Sequence, residues 1–421
     1  MKKYCVLFVL VFCISCNSQK INHSKYAKTN FNAKTMKLID GNWFDGKKFK
    51  ERPVWLKNGL MYYKSIEEEV DTVIDLSGKY VIPPFAEAHN HNLESDYKLD
   101  ERIAHYLNHG IFYVKLLSSI KKRIDPLMHN YNKPDGLDIS MAHAPLTATD
   151  GHPIALRKKF LEYGHFDGLF NSIEEIEYHG YVIIDDSLDL ENKWEKILSF
   201  SPNFIKINLL HSEEYAKRKK DTSFFGKKGL NPKLVPDLVK RAHASNLRVS
   251  AHVATAHDFH VGVNSNVDEI AHLPEIHNGN PIAMEDAVMA KTKDITVVTT
   301  ISLVKKDKGK ENYQELVENV AANLKILKEA GVTLAIGSDM YNDNSTEEFN
   351  FLHELDIFTN LELLTMWTEH ATSTIFPNRK IGKLKDGYEG SFLVLDKNPL
   401  SDISNIYQRI VLRIKEGVIL K

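Results

Sequence analysis

After residue 16 the chain contains no cysteine. The three it has, Cys5, Cys13 and Cys16, all fall near the start of a sequence of 421 residues. Disulfides and thiolate metal sites are thereby excluded from the body of the protein. Charge of one sign is also missing: 54 Lys and Arg stand against 56 Asp and Glu, a formal net charge of −2. No basic field argues for nucleic acid. Long apolar runs, internal repeats and low-complexity blocks are lacking too. Hydrophobic residues at 43% and charged residues at 26% are ordinary for a soluble globular chain. That balance excludes collagen, a coiled-coil rod, a mostly disordered chain and a multi-span membrane protein. Histidine is what the chain has in quantity, 19 in all. A metal site here must use His, carboxylate or a less usual donor.

The first residues read as an address. Lys2 and Lys3 precede an apolar run over 4–14, too short to span a bilayer as a stable helix. The run ends in Cys13-Ile14-Ser15-Cys16, which resembles a bacterial lipobox, with Cys13 where the motif usually has an aliphatic residue. The resemblance implies a signal peptide over 1–15, lipidation of Cys16 and a lipid-anchored protein of the bacterial cell envelope; the run Asn17-Ser18-Gln19-Lys20, with no acidic cluster, favours an anchor facing the periplasm. A plain secretory signal with cleavage nearby is the alternative. The polar stretch 16–35 reads as a tether.

The body alternates strands and helices. Apolar, β-rich runs recur at 80–82, 111–117, 139–146, 204–210, 247–253, 267–271, 295–301 and 332–336. Tyr313, Leu316, Val317, Val320, Ala321, Leu324 and Leu327 keep the spacing of one buried helix face, and Gly331 follows as a stop. Leu234, Leu238, Val239 and Ala242 repeat the pattern after Asn231-Pro232. Strands with helical crossovers predict a parallel α/β architecture; periodicity alone does not separate a barrel from a doubly wound sheet. Residues 36–80 and 381–421 instead hold short alternating runs broken by Asn58-Gly59 and Ser77-Gly78, as in hairpins. They predict a small β domain built from both ends of the chain.

Six residues carry the chemistry. His89 and His91 follow the first body strand, and residues i and i+2 of a strand point the same way, so both imidazoles can reach one ion. Lys206 lies within Phe204-Ile205-Lys206-Ile207-Asn208, a costly place to bury a lysine without a partner. His252, His272 and Asp339 stand at the ends of three further strands. All lie toward the C-terminal ends of parallel strands, the face that carries active sites in barrels.

With these positions the sequence resembles the amidohydrolase superfamily, in its imidazolonepropionase-like and prolidase-like branch. The run 81–91, ending Pro83-Pro84-Phe85-Ala86-Glu87-Ala88-His89-Asn90-His91, is similar to the family's strand-one motif, with Pro84 in place of a glycine and Glu87 in place of an aspartate. The run 387–400 resembles its closing β segment, with Gly390-Ser391 as a departure. The resemblance implies a (β/α)8 barrel over 81–380 and a β-sandwich from the two ends. It also implies two divalent metal ions. His89, His91 and Asp339 would hold one, His252 and His272 the other, and Lys206 would bridge them as a carbamate formed with carbon dioxide. Zinc suits this donor set; manganese and iron suit it as well.

The implied reaction is hydrolysis of an amide or peptide-like C–N bond in a small substrate. A metal-bound hydroxide attacks the carbonyl, and Asp339 passes the water proton to the leaving nitrogen. Thr147 to Pro153 resembles the branch's Gly-His turn, which makes His152 a substrate contact, with an idle loop histidine as the equal alternative. His211, just past Lys206, is expected to line the mouth. His143 reads as a satisfied barrel histidine, His257 and His260 as helix-surface residues, and the basic run 217–220 as a solvated helix face. The rival readings are a mononuclear deaminase, a lactonase or esterase, and a non-catalytic binding lipoprotein. Lys206 argues against the first, and the survival of all six residues against the last. Oligomeric state stays open.

Overall fold

A computed structural model describes residues 34–66, 69–275 and 280–420. The leader, Cys16 and nearly all of the tether expected from the sequence lie outside these residues. Among the described residues no helix is long and apolar enough to cross a membrane.

The chain begins with five strands: β1 (Met36–Phe44), β2 (Phe49–Lys57), β3 (Leu60–Tyr62), β4 (Thr72–Asp75) and β5 (Tyr80–Ile82). Asn58 and Gly59 join β2 to β3 with φ of 52° and 73°. Two successive positive φ values give a tight turn that matches strand twist, and Asn-Gly supplies them at little steric cost. Alternation fixes the faces: Met36, Leu38, Val54 and Leu56 are buried while Glu51 is exposed.

Next come the parallel strands. β6 (Phe85–Asn90), β7 (Ile111–Leu116) and β8 (Asp138–Met141) form a three-stranded parallel sheet. β9 (Leu146–Thr147), β10 (Val182–Ile183), β11 (Ile205–Asn208), β12 (Val249–His252), β13 (Glu269–Ile270), β14 (Thr296–Val298) and β15 (Thr333–Ala335) form a seven-stranded one. Its order is β10-β9-β11-β12-β13-β14-β15. Every residue of β6, β7 and β14 is buried, as expected of parallel strands covered on both faces. Hydrogen bonds also join β6 to the chain just past β15: Ala88 N–H to Ile336 O, 3.1 Å, and Asp339 N–H to His89 O, 2.9 Å.

Two sequence expectations are revised here. The run 80–82 belongs to the terminal sheet rather than to the body, because Pro83-Pro84 cannot donate ladder bonds and separates β5 from β6. The run 139–146 is likewise two strands, interrupted by His143 at φ 58° and by Pro145. The crossover helices follow their periodicity. Val235–Ala244 buries Leu238, Val239 and Ala242 and starts after Asn231, whose side chain accepts from Lys233 N–H. Tyr313–Glu329 buries Leu324 and Leu327, and Gly331 follows at φ 72°.

The chain returns with β16 (Phe392–Leu395), β17 (Ile410–Lys415) and β18 (Val418–Leu420). β16 pairs with β5, so strands from both ends share one sheet, in the order β18-β17-β16-β5-β1-β2-β3 with β4 beside β1. A buried ion network ties that sheet to the parallel strands. Lys415 Nζ donates to Asp138 Oδ1 at 2.6 Å, and Arg379 bridges Asp138 and Glu389, at 2.6 Å each. The described residues thus have a mixed α/β fold.

Candidate metal centre

The strand ends converge on one cavity of about 120 Å³, lined by His89, His91, Lys206, His252, His272 and Asp339 together. His89 ends β6 save for one residue, and its Nδ1 lies 2.8 Å from Ala271 O. That bond turns Nε2 toward the cavity, 3.3 Å from His91 Nε2. His91 stands one residue past the strand, so the pair meets at a strand exit rather than on a regular strand face. His252 closes β12, and its ring centre lies 4.4 Å from that of His272, two residues past β13.

Asp339 arrives by a sharp turn. Its φ is 54°. Glu87 braces the turn by accepting from Ser338 N–H at 2.8 Å and from Ser338 Oγ at 2.9 Å. A carboxylate oxygen of Asp339 then sits 3.5 Å from His89 Nε2 and 3.3 Å from His91 Nε2. Ligand atoms of His89, His272 and Asp339 all lie within 4.8 Å of one another, close enough to share an ion.

Electrostatics select the donor forms. Burial, with Lys206 and neighbouring imidazoles adding repulsion, holds His89, His252 and His272 well below the ordinary histidine range. Burial, Arg157 and Lys206 bring His91 down to about 3. All four rings are therefore uncharged at neutral pH and keep lone pairs for a cation. Burial pushes Asp339 up to about 7 and Lys206 down to about 7. Lys206 is 5% exposed, and its Nζ has no hydrogen-bond partner among the described residues. Such a group is costly unless something further occupies the site. Four neutral imidazoles, a carboxylate and an orphaned amine fit divalent metal binding.

His152 joins this cavity. Its ring stacks on His252, centres 5.0 Å apart at 21°, and burial holds it at about 4. His211 does not line the cavity. Its backbone N–H is held by Asp258 at 2.9 Å, and its ring faces Glu213 at 3.7 Å. His143 is buried, its ring bonded to Ser119 Oγ at 3.1 Å, and His257 and His260 are exposed on the helix Ala256–Asn264. In the basic run Arg218 is buried against Glu214, so that face is only partly solvated. Glu94, Arg157, Phe160 and Tyr341 also line the cavity, and no motif singles them out in the sequence. Only the place of Tyr341, two residues past Asp339, hints at it.

No protein-family model matches the chain. Ochratoxinase from Aspergillus niger is 28% identical over 185 residues, which is 41% of this chain and 37% of that protein's length. The crystal structure of A. niger ochratoxinase superposes with a TM-score of 0.71 at 18% identity, covering 92% of this chain and 96% of the other. A solved amidohydrolase gives 0.69 at 18% identity, covering 92% and 98%. A prolidase complexed with N-methylphosphonate-L-proline gives 0.69 at 19%, covering 92% and 99%. The chain thus shares the mixed α/β fold of solved amidohydrolase and prolidase structures across nearly its whole described length.

Proposed function

We propose that this protein is a metal-dependent hydrolase of amide or peptide-like C–N bonds in a small substrate. The observation that carries the reading is the meeting of four uncharged imidazoles, Asp339 and the unpartnered Lys206 in one cavity. The fold shared with an amidohydrolase and a prolidase supports it, and so does the partial likeness to ochratoxinase. The architecture proposed is a closed (β/α)8 barrel that begins at β6, with a β-sandwich from the chain ends. The bonds from β6 to the chain past β15 support closure.

His89, His91, His252, His272 and Asp339 would hold two divalent ions, zinc suiting the set. Bound there, the metals supply Lewis acidity and lower the pKa of water. Lys206, held near neutrality, presents a fraction of free amine that can add to carbon dioxide. The added carbon dioxide becomes a carbamate, one proton leaves, and an anionic oxygen donor replaces a cation. Asp339 would take the proton of the attacking water on a carboxylate oxygen and give it to the leaving nitrogen. His152, flat against His252 in the cavity lining, would contact the substrate, and Leu156 and Phe160 give the cavity an apolar wall. His211 would act from farther out, beyond the cavity lining. The proposed setting is the bacterial envelope, through a lipid on Cys16.

Metal analysis and turnover test the reading together. The zinc- or manganese-loaded protein should bind close to two ions per chain. It should cleave some member of a panel of dipeptides, N-acyl amino acids, cyclic amides and lactones. Lys206→Ala should lower both metal content and turnover. A folded, metal-loaded protein inert on every amide, or a Lys206→Ala variant with full metal content, would sink it.

A further inference from the structure

A second cavity, of about 200 Å³, shares no lining residue with the metal centre. It lies at neighbouring strand exits: Thr149 follows β9, Asp185 follows β10 and Leu210 follows β11. The basic run 217–220 contributes Arg218 and Lys219 to its lining, and Lys228 adds a third cation. The side chains of Arg218 and Lys228 are only 11% and 6% exposed. Arg218 donates from Nε to Glu214 Oε2 at 2.7 Å and from Nη1 to Lys227 O at 2.9 Å, which uses two of the five guanidinium N–H donors. Lys228 Nζ donates to Asp150 Oδ2 at 3.2 Å and otherwise reaches only Lys219 O, at 3.5 Å. Lys219 is exposed, and its Nζ lies 5.7 Å from the Tyr215 ring centre with no carboxylate partner among the described residues. Asp185 is the one carboxylate in the lining. Both its oxygens are taken, by Thr149 N–H at 2.9 Å and by Thr149 Oγ at 2.6 Å. The polar lining is therefore rich in donors and short of acceptors.

We propose that this cavity binds a small organic monocarboxylate, at a site separate from the metal centre. A carboxylate supplies the missing acceptors, and its bonds to cations are about twice as strong as neutral ones. The guanidinium fork also matches the two oxygens of a carboxylate. One negative charge suits the site better than the two of phosphate. Asp150 and Glu214 already offset Lys228 and Arg218, and Asp185 adds a further negative charge that a second ligand charge would meet. Leu210 and the Tyr215 ring give the chain of the acid an apolar wall. The cations are held in place by backbone contacts that need no ligand. Lys228 O accepts from His152 N–H at 2.9 Å, and Gly226 N–H donates to Asp150 O at 2.7 Å. Gly229 packs so closely on the β11 exit that a Cβ there would lie 2.4 Å from Leu210 N. A site ordered in advance loses little freedom on binding. The proposal stands whether or not the hydrolase reading does.

Calorimetric titration of the metal-loaded, full-length protein tests this at fixed ionic strength. The probes are propionate, butyrate and valerate, each beside its primary amide, with inorganic phosphate alongside. A carboxylate should bind saturably and about 10- to 100-fold more tightly than its amide, the range for hydrogen bonds to charged groups. Arg218→Gln and Lys228→Met should each weaken that binding about 10-fold or more, with metal content unchanged. Lys219→Gln alters an exposed side chain and so leaves folding out of the question; it should weaken binding by a smaller factor. Absence of saturable carboxylate binding would overturn the proposal. So would binding that all three variants keep in full, since it would belong to the metal ions. Phosphate bound more tightly than every carboxylate would overturn it as well.

Discussion

A glycine stands where Asp339 must reach His89. A Cβ on Gly337 would lie 2.6 Å from His89 N and 2.6 Å from Val298 Cγ1. Backbone cannot give way as a flexible side chain can, so Gly337→Ala should push the 337–339 turn off β6. Overpacking of this kind costs about 1–3 kcal/mol. Expected outcomes are a lower melting temperature and a clear loss of metal binding. Full metal occupancy with an unchanged melting curve would show that the close approach is dispensable. The residues Glu87 and Lys206 were legible in the sequence as a carboxylate before a paired histidine and as a lysine in an apolar strand. Glu94 and Arg157 were not. Neither belongs to a motif, and their pairing crosses from the β6 exit to the helix Ile154–Glu162. Only folding brings those segments together.

Among elements, the join between the terminal sheet and the parallel strands is built from buried charge. Lys415 on β17 is fully buried, and Asp138 on β8 is 2% exposed. Burial opposes the Asp138 charge, but Lys415 and Arg379 outweigh it and hold the carboxyl below the ordinary aspartate range. Its contribution is therefore complete above about pH 4, the unfolded value, and fades as pH falls further through the folded value. Lys415→Met removes one partner of a buried pair and should cost about 3 kcal/mol near neutral pH. The gap from wild type should narrow in acid. Denaturant melts near pH 7 and near pH 3 would measure it, and a gap that does not change with pH would refute the electrostatic account. Periodicity predicted the helices Val235–Ala244 and Tyr313–Glu329 well, since each buries a face spaced at helical intervals. It erred at 80–82. A short apolar run reads the same in either sheet, and its partner is chosen by where the prolines turn the chain.

At the scale of the whole molecule, the proposed envelope anchor predicts behaviour the folded region alone would not produce. In a bacterial host the full chain should fractionate with membranes and take up labelled fatty acid. Cys16→Ala should release it in soluble form with unchanged turnover. Soluble full-length chain without label would remove the anchor reading and leave the catalytic one standing. The sequence alone determined the alternation of strands and helices, the strand exits that hold the candidate site residues, and the exclusion of cysteine from the body, because periodicity and residue type are local. Tertiary structure alone decided which histidines meet. His152 came into the cavity and His211 stayed outside it, though both follow strands and look alike in sequence. The reason is physical: a ligand set is defined by distances of a few ångströms between segments far apart in the chain, and those are fixed by strand pairing and by the turn at Gly337.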